Sequence, residues 1–244
     1  MRLALPLALL AAPALALDLD AMTEAERDAF RAEVRAFLLE EPEILMEAIG
    51  VLEARDAEAQ AAADVASVRD NAAAILDDGY SWVGGNPEGD VTLVEFMDYR
   101  CGYCRQAFAE VEELVASDGD IRFVLKEFPI LGEQSEAASR FAIAVQQLHG
   151  PDAYKDAHDA LMTLRGDVTP DALRRLAEGL ALDPQPILDR MGAPEVSAVI
   201  EENRALAQAL RISGTPTFVL GDAMLRGYLP LDEMRARVEA ERAG

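Results

Sequence analysis

The stretch that decides the reading of this chain is "TLVEFMDYRCGYCRQAF", residues 92–108. Val91 to Met97 is an apolar run of strand length, and the alternation of a strand puts Glu95 on one face with Leu93 and Met97. Helical period takes over from Arg105 to Ser117, so Cys101 and Cys104 stand at a strand-to-helix junction. They are the only 2 cysteines in 244 residues.

Three chemistries compete for such a pair. A zinc site needs two further soft or imidazole ligands, and the chain offers only His149 and His158, nine apart on helix-like segments. Haem attachment needs histidine directly after the second cysteine, where Arg105 stands. A purely structural disulfide across so short a loop would remove little unfolded-chain entropy.

The redox reading explains the neighbourhood. A cysteine at a helix N-terminus has its thiolate favoured by unpaired N–H groups and the positive end of the helix dipole. Cys101 takes that place as nucleophile, and Cys104, one turn later, is the resolving thiol. Glu95, if its strand is central, is a buried carboxyl able to move protons to or from Cys104. Lys126, at the end of the next strand (Ile121 to Lys126), is its expected counter-charge. In Gly214-Thr215-Pro216-Thr217, Pro216 heads an apolar strand. It reads equally as a cis-proline turn or as a trans-proline at a sheet edge.

The rest of the chain frames this segment. Met1-Arg2, the apolar run Leu3–Ala12 and Ala14-Leu15-Ala16 form an export signal cleaved after Ala16, too short to span a bilayer. Residues 17–80 read as a helical extension, with a capping box at Thr23–Glu26 and apolar stripes on Phe30, Val34, Phe37, Leu38 and on Ile44, Leu45, Ile49, Leu52. From Glu53 to Leu76 the pattern fades into an alanine-rich, charged helix, more spacer than core. Helices of this size need a partner for their stripes, either the main domain or copies of themselves. The glycine- and proline-rich run 84–90 marks a boundary. Beyond it the order strand, helix, strand, helical block (about 135–210), strand, strand, helix describes an α/β sheet with a helical insertion. A net charge of −23 argues against nucleic-acid binding and against docking on anionic membranes.

With "FVLKEFPILG" (123–132) and "GTPTFVLGD" (214–222) added to the opening stretch, residues 80–244 resemble the DsbA-type branch of the thioredoxin superfamily. The resemblance implies an exported, periplasmic thiol–disulfide oxidoreductase with a thioredoxin fold, no metal and no cofactor. It implies Cys101 as attacking and Cys104 as resolving cysteine, Glu95 and Lys126 as a buried pair, Pro216 as a cis-proline, and Thr215 offering its backbone to a substrate chain. Gly102-Tyr103 between the cysteines, and Thr215 before the proline, are more similar to isomerase-type and ScsC-like members than to monomeric oxidases. The stretch "FLLEEPEILMEAI" (37–49) resembles the oligomerising extension of ScsC-like proteins.

The implied function is a disulfide isomerase acting on unfolded or misoxidised exported proteins. It would be served by a membrane thiol reductase and assembled as a homo-oligomer, a trimer before a dimer. A dithiol oxidase served by a membrane oxidase, and a chaperone or Cu(I)-binding module, are the alternatives.

Overall fold

A computed structural model describes residues 22–243; the expected signal and its cleavage site lie outside the described residues. The chain divides into two units, one ending at Ala57 and one beginning at Glu58.

The first unit holds α1 (Glu24–Glu40) and the start of α2 (Glu43–Asp70). The capping box forms as the sequence predicts: Glu26 N–H donates to Thr23 Oγ1 at 3.3 Å and Thr23 N–H to Glu26 Oε2 at 2.8 Å. No residue of α1 is buried. Phe30, Val34, Leu38, Leu39 and Leu45 line an apolar groove open to solvent.

The second unit is built on a five-stranded sheet of order β1-β3-β2-β4-β5. Its strands are β1 (Trp82–Gly85), β2 (Val91–Met97), β3 (Ile121–Glu127), β4 (Thr217–Leu220) and β5 (Ala223–Arg226). β2 and β3 are parallel, joined by α4 (Gly102–Asp118), and the remaining pairings are antiparallel. β2 is therefore central, and both its faces are buried.

Leu93, Met97, Phe123, Leu125 and Phe218 point into one core, closed by α4 and the helical insertion. The insertion is α5 (Glu133–His149), α6 (Pro151–Thr163), α7 (Pro170–Gly179), α8 (Pro184–Arg190) and α9 (Pro194–Ala209); α10 (Leu231–Ala243) also packs on this side. Thr169 caps α7 ahead of Pro170, as its sequence position predicts.

Val94, Phe96, Val124 and Val219 point into a second, smaller core. Here the structure corrects the reading of residues 53–76 as a spacer. Val68 on α2 and Ile75 on α3 (Ala72–Leu76) are buried in that second core. Asp64 on α2 also accepts Arg226 Nη2 from β5 at 2.9 Å. Alanine-rich helix hides such anchors, because one apolar residue every two turns is enough to hold it against a sheet.

Strand β1 escapes sequence reading for a different reason. Its Gly84 looks like punctuation, yet a Cβ there would fall 1.9 Å from the Trp82 ring, so the glycine makes room for the folded-back indole. Among the described residues no helix is long and apolar enough to cross a membrane.

Candidate active site

The end of β2 and the start of α4 form the site. Cys101 is the N-cap residue of α4, with extended backbone, and its N–H donates to Asp98 O at 3.1 Å. Both cysteines are free and buried; Cys101 retains 7% exposure and Cys104 none. One sulfur is thus reachable from solvent and the other only from the first.

The Cys101 thiol is lowered to about 5, first by the hydrogen bond from the Cys104 thiol, then by the Thr215 side chain and the backbone N–H groups of Cys104 and Tyr103. Those N–H groups belong to the open first turn of α4, so the cap position favours a thiolate at Cys101. Cys104 moves the opposite way, well above the ordinary thiol, through its bond to Cys101, its burial and the nearby Glu95.

Opposite Cys101 stands the Thr215–Pro216 peptide, which is cis. In its protonated form Cys101 Sγ donates to Thr215 O at 3.1 Å. The structure thus brings Thr215 and Pro216 to Cys101 from a position 114 residues away. Gly102 and Tyr103 lie on the open side, with Tyr103 64% exposed.

Glu95 is buried in central β2, and burial, then the charges of Cys101 and Glu112, raises it to about 8. It is uncharged at neutral pH while Cys101 is a thiolate. When Cys101 attacks a disulfide sulfur, the client S–S bond breaks, a client thiolate leaves and the Cys101 charge disappears. One cause of the raised Glu95 value goes with it while burial remains, so Glu95 would lose its proton to solvent more readily, and the carboxylate so formed would be placed to accept the Cys104 proton. With its proton taken, Cys104 would attack the Cys101 sulfur, forming the Cys101–Cys104 disulfide and releasing the client as a thiolate. Glu95→Gln is expected to leave the thiolate titration near pH 5, read by ultraviolet absorbance, within about half a unit. It is expected to slow release from the mixed disulfide by about tenfold or more. Equal release rates in the two proteins would remove Glu95 from the mechanism.

Lys126 does not join this site. In the β2–β3 register Glu95 pairs with Leu125, and Lys126 pairs with Phe96 on the opposite face. Its Nζ donates to Ala74 O at 2.8 Å and forms a buried ion pair with Asp78, below the second core. The expected Glu95–Lys126 pair is corrected by strand parity: neighbours in register share a face, and these two are one residue out of step.

Two residues that sequence reading passes over hold the site. Asp98, fully buried, accepts Arg100 N–H at 2.7 Å on Oδ1, and Ile130 and Leu131 N–H at 2.8 and 3.1 Å on Oδ2. It ties the cysteine loop to the loop after β3. An aspartate whose side chain meets the N–H two residues on is a recognisable turn signal. Arg105, just after Cys104, donates Nε to Tyr99 O at 2.6 Å and Nη1 to Leu164 O at 2.8 Å, pinning α4 to the end of α6. No cluster of three or more potential metal ligands occurs among the described residues.

Comparison with known proteins agrees with this geometry. Residues 92–239 match the model of the DSBA-like thioredoxin domain, and residues 26–59 that of the copper resistance protein ScsC N-terminal domain. The chain is 42% identical to a thioredoxin-like oxidoreductase from Silicibacter pomeroyi, covering 70% of this chain and 98% of that one, with a TM-score of 0.66. It is 29% identical to Salmonella enterica Typhimurium BcfH, covering 90% and 97%, with a TM-score of 0.75. It is 26% identical to Disulfide bond formation protein D of Bacillus subtilis, over 66% of this chain and 76% of that one. A stretch of Salinispora arenicola Na(+)/H(+) antiporter NhaA 1 is 31% identical, but the chain spans only 25% of that protein. With the family match covering more than half its length, the chain belongs to the DSBA-like thioredoxin domain family of thiol–disulfide oxidoreductases.

Proposed function

We propose that the chain is an exported, periplasmic protein-disulfide isomerase that works as a homo-oligomer on unfolded or misoxidised client proteins. The observation that carries this reading is the surface of the first unit. Phe30, Val34, Phe37, Leu45, Met46 and Leu52 are each at least 40% exposed. Apolar side chains at that density on two helices mark an interaction surface rather than a solvated one. The same helices of other copies, three before two, are a self-complementary cover for it.

The match of this segment to the ScsC N-terminal domain supports the assignment. So does the similarity to Proteus mirabilis ScsC, 26% identical over 93% of the chain with a TM-score of 0.67. An isomerase must attack a wrong disulfide and keep the mixed intermediate until another client thiol resolves it. Several sites around one client raise the effective concentration for that second step. A membrane thiol reductase would return Cys101 and Cys104 to the reduced state.

Refolding of a scrambled-disulfide client tests the reading. The mature chain is compared with a form starting at Glu58, a cut that keeps Val68 and Ile75 in the core. Removing the first unit is expected to reduce unscrambling by about tenfold or more while leaving oxidation of a reduced peptide intact. If neither form unscrambles the client and both oxidise it, the protein is an oxidase and the extension serves another purpose.

A further inference from the structure

The far end of β3 brings a second carboxyl to the face of the sheet that carries Glu95. Glu127 pairs in register with Met97, so its side chain projects with Met97 and Glu95 and away from Lys126. It is buried, and its Oε1 accepts the Tyr99 hydroxyl at 2.8 Å and the Tyr154 hydroxyl at 2.7 Å. Glu127 Oε2 and the Ser139 hydroxyl on α5 are both buried, and neither has a hydrogen-bond partner among the described residues.

The surroundings are polar but hold no counter-charge. Glu95 and Asp98 approach from β2 and its end, Tyr154 and His158 from α6, and no cation pairs with Glu127 among the described residues. The Tyr99 hydroxyl lies 3.1 Å from His158 Nδ1. His158 is lowered to about 3 by burial and by Lys155, so it is neutral. Because Tyr99 has one proton and gives it to Glu127, hydrogen-bond accounting assigns the His158 proton to Nδ1, donating to Tyr99.

Tyr99 is thus held at both ends. Its hydroxyl is fixed by Glu127 and His158, and its carbonyl by Arg105 Nε. It stands two residues before Cys101, and Arg105 directly follows Cys104. Whatever changes the hold on Tyr99 is felt by the segment that carries both thiols.

We propose that Glu127 is a positioning residue for thiol exchange, acting through Tyr99 on the Cys101 loop and changing the strength of its hold as it gains or loses one proton. The inference rests on the redox reading of the two cysteines. Burial raises the carboxyl to about 7, against the hydrogen bonds from Tyr154 and Tyr99, so the change falls within the working range of pH. Neutral Glu127 carries its proton on Oε2 and ionised Glu127 carries none, while Oε1 accepts the Tyr99 and Tyr154 hydroxyls in either state. In the ionised state the two phenol bonds become charge-assisted and stronger. A negative charge also joins the buried cluster that holds Tyr99, two residues from the Cys101 thiolate. Reduced protein is therefore disfavoured relative to oxidised protein above about pH 7.

The test is the equilibrium constant of the full chain against glutathione, followed from about pH 6 to about pH 9, for wild type, Glu127→Gln and Tyr99→Phe. Glu127→Gln is expected to match wild type at about pH 6 and to favour the reduced form by about threefold at about pH 8. Tyr99→Phe removes one donor to the carboxylate, so the same step should move to higher pH. A Glu127→Gln offset that is equal at both ends of the range, or a Tyr99→Phe step that stays in place, makes Glu127 a structural residue and overturns the inference. Should Glu127→Gln not fold, the Tyr99→Phe curve decides alone. Wild-type protein that fails to exchange with glutathione at all would sink the redox reading itself, and this inference with it.

Discussion

Replacing Cys101 by serine is expected to lower the rate of thiol–disulfide exchange with a client by at least about 10³-fold. The site lowers the Cys101 thiol to about 5, so at neutral pH it is almost wholly a thiolate. A serine hydroxyl in the same cap position remains protonated and forms no S–S bond. Cys104 cannot substitute, because it is fully buried and its thiol is pushed up by Cys101, burial and Glu95. Cys104→Ala should behave differently: the Cys101 thiol rises because it loses the hydrogen bond from Cys104, but the first attack still proceeds and the mixed disulfide with the client accumulates. Mass spectrometry of the quenched reaction reads both outcomes. Trapped adduct in Cys101→Ser and none in Cys104→Ala would reverse the two roles.

The second large effect lies away from the chemistry. Lys126→Met is expected to cost about 3–5 kcal/mol of stability, the range for removing one partner of a buried ion pair. Lys126 is wholly buried, and its partner Asp78 is only 7% exposed at the side chain. Asp78 keeps the N–H groups of Tyr80 and Ser81 at 3.0 and 2.8 Å, but these leave its charge uncompensated. Against a typical total of roughly 5–15 kcal/mol, a loss of that size shifts a urea midpoint visibly. The Cys101 thiolate titration should stay where it is, since Lys126 faces the other core. A variant of normal stability with a displaced thiolate titration would return Lys126 to the active site.

The same lysine shows where sequence reading stops. Residues 91–97 were legible as a strand, the capped start of α7 by its Thr169-Pro170 pair, and the insertion by its run of helical periods. Glu95, Cys101, Cys104, Thr215 and Pro216 were legible as members of one site and are brought together in the fold. The face of Lys126 was not. β2 and β3 are buried on both sides, so neither shows the polar–apolar alternation from which a face is read. Only the pairing register decides, and register is a property of two strands. For the same reason the strand legible in the sequence ended at Lys126, short of Glu127, which register places on the face of Glu95. Trp82–Gly85 and the seven-residue α8 were too short, and too rich in glycine or proline, to stand out.

The bonds of Arg105 to Tyr99 and Leu164 have a meaning for how this protein can be divided. The guanidinium joins the carbonyl of Tyr99, just before the cysteines, to that of Leu164, just after α6. An inserted block of helices suggests a detachable lid, yet here its edge is tied to the helix that carries the reactive sulfur. The insertion and the redox centre are thus joined by these hydrogen bonds as well as by the core they share. A shortened enzyme lacking α5 to α9 would lose the support of its own catalytic helix.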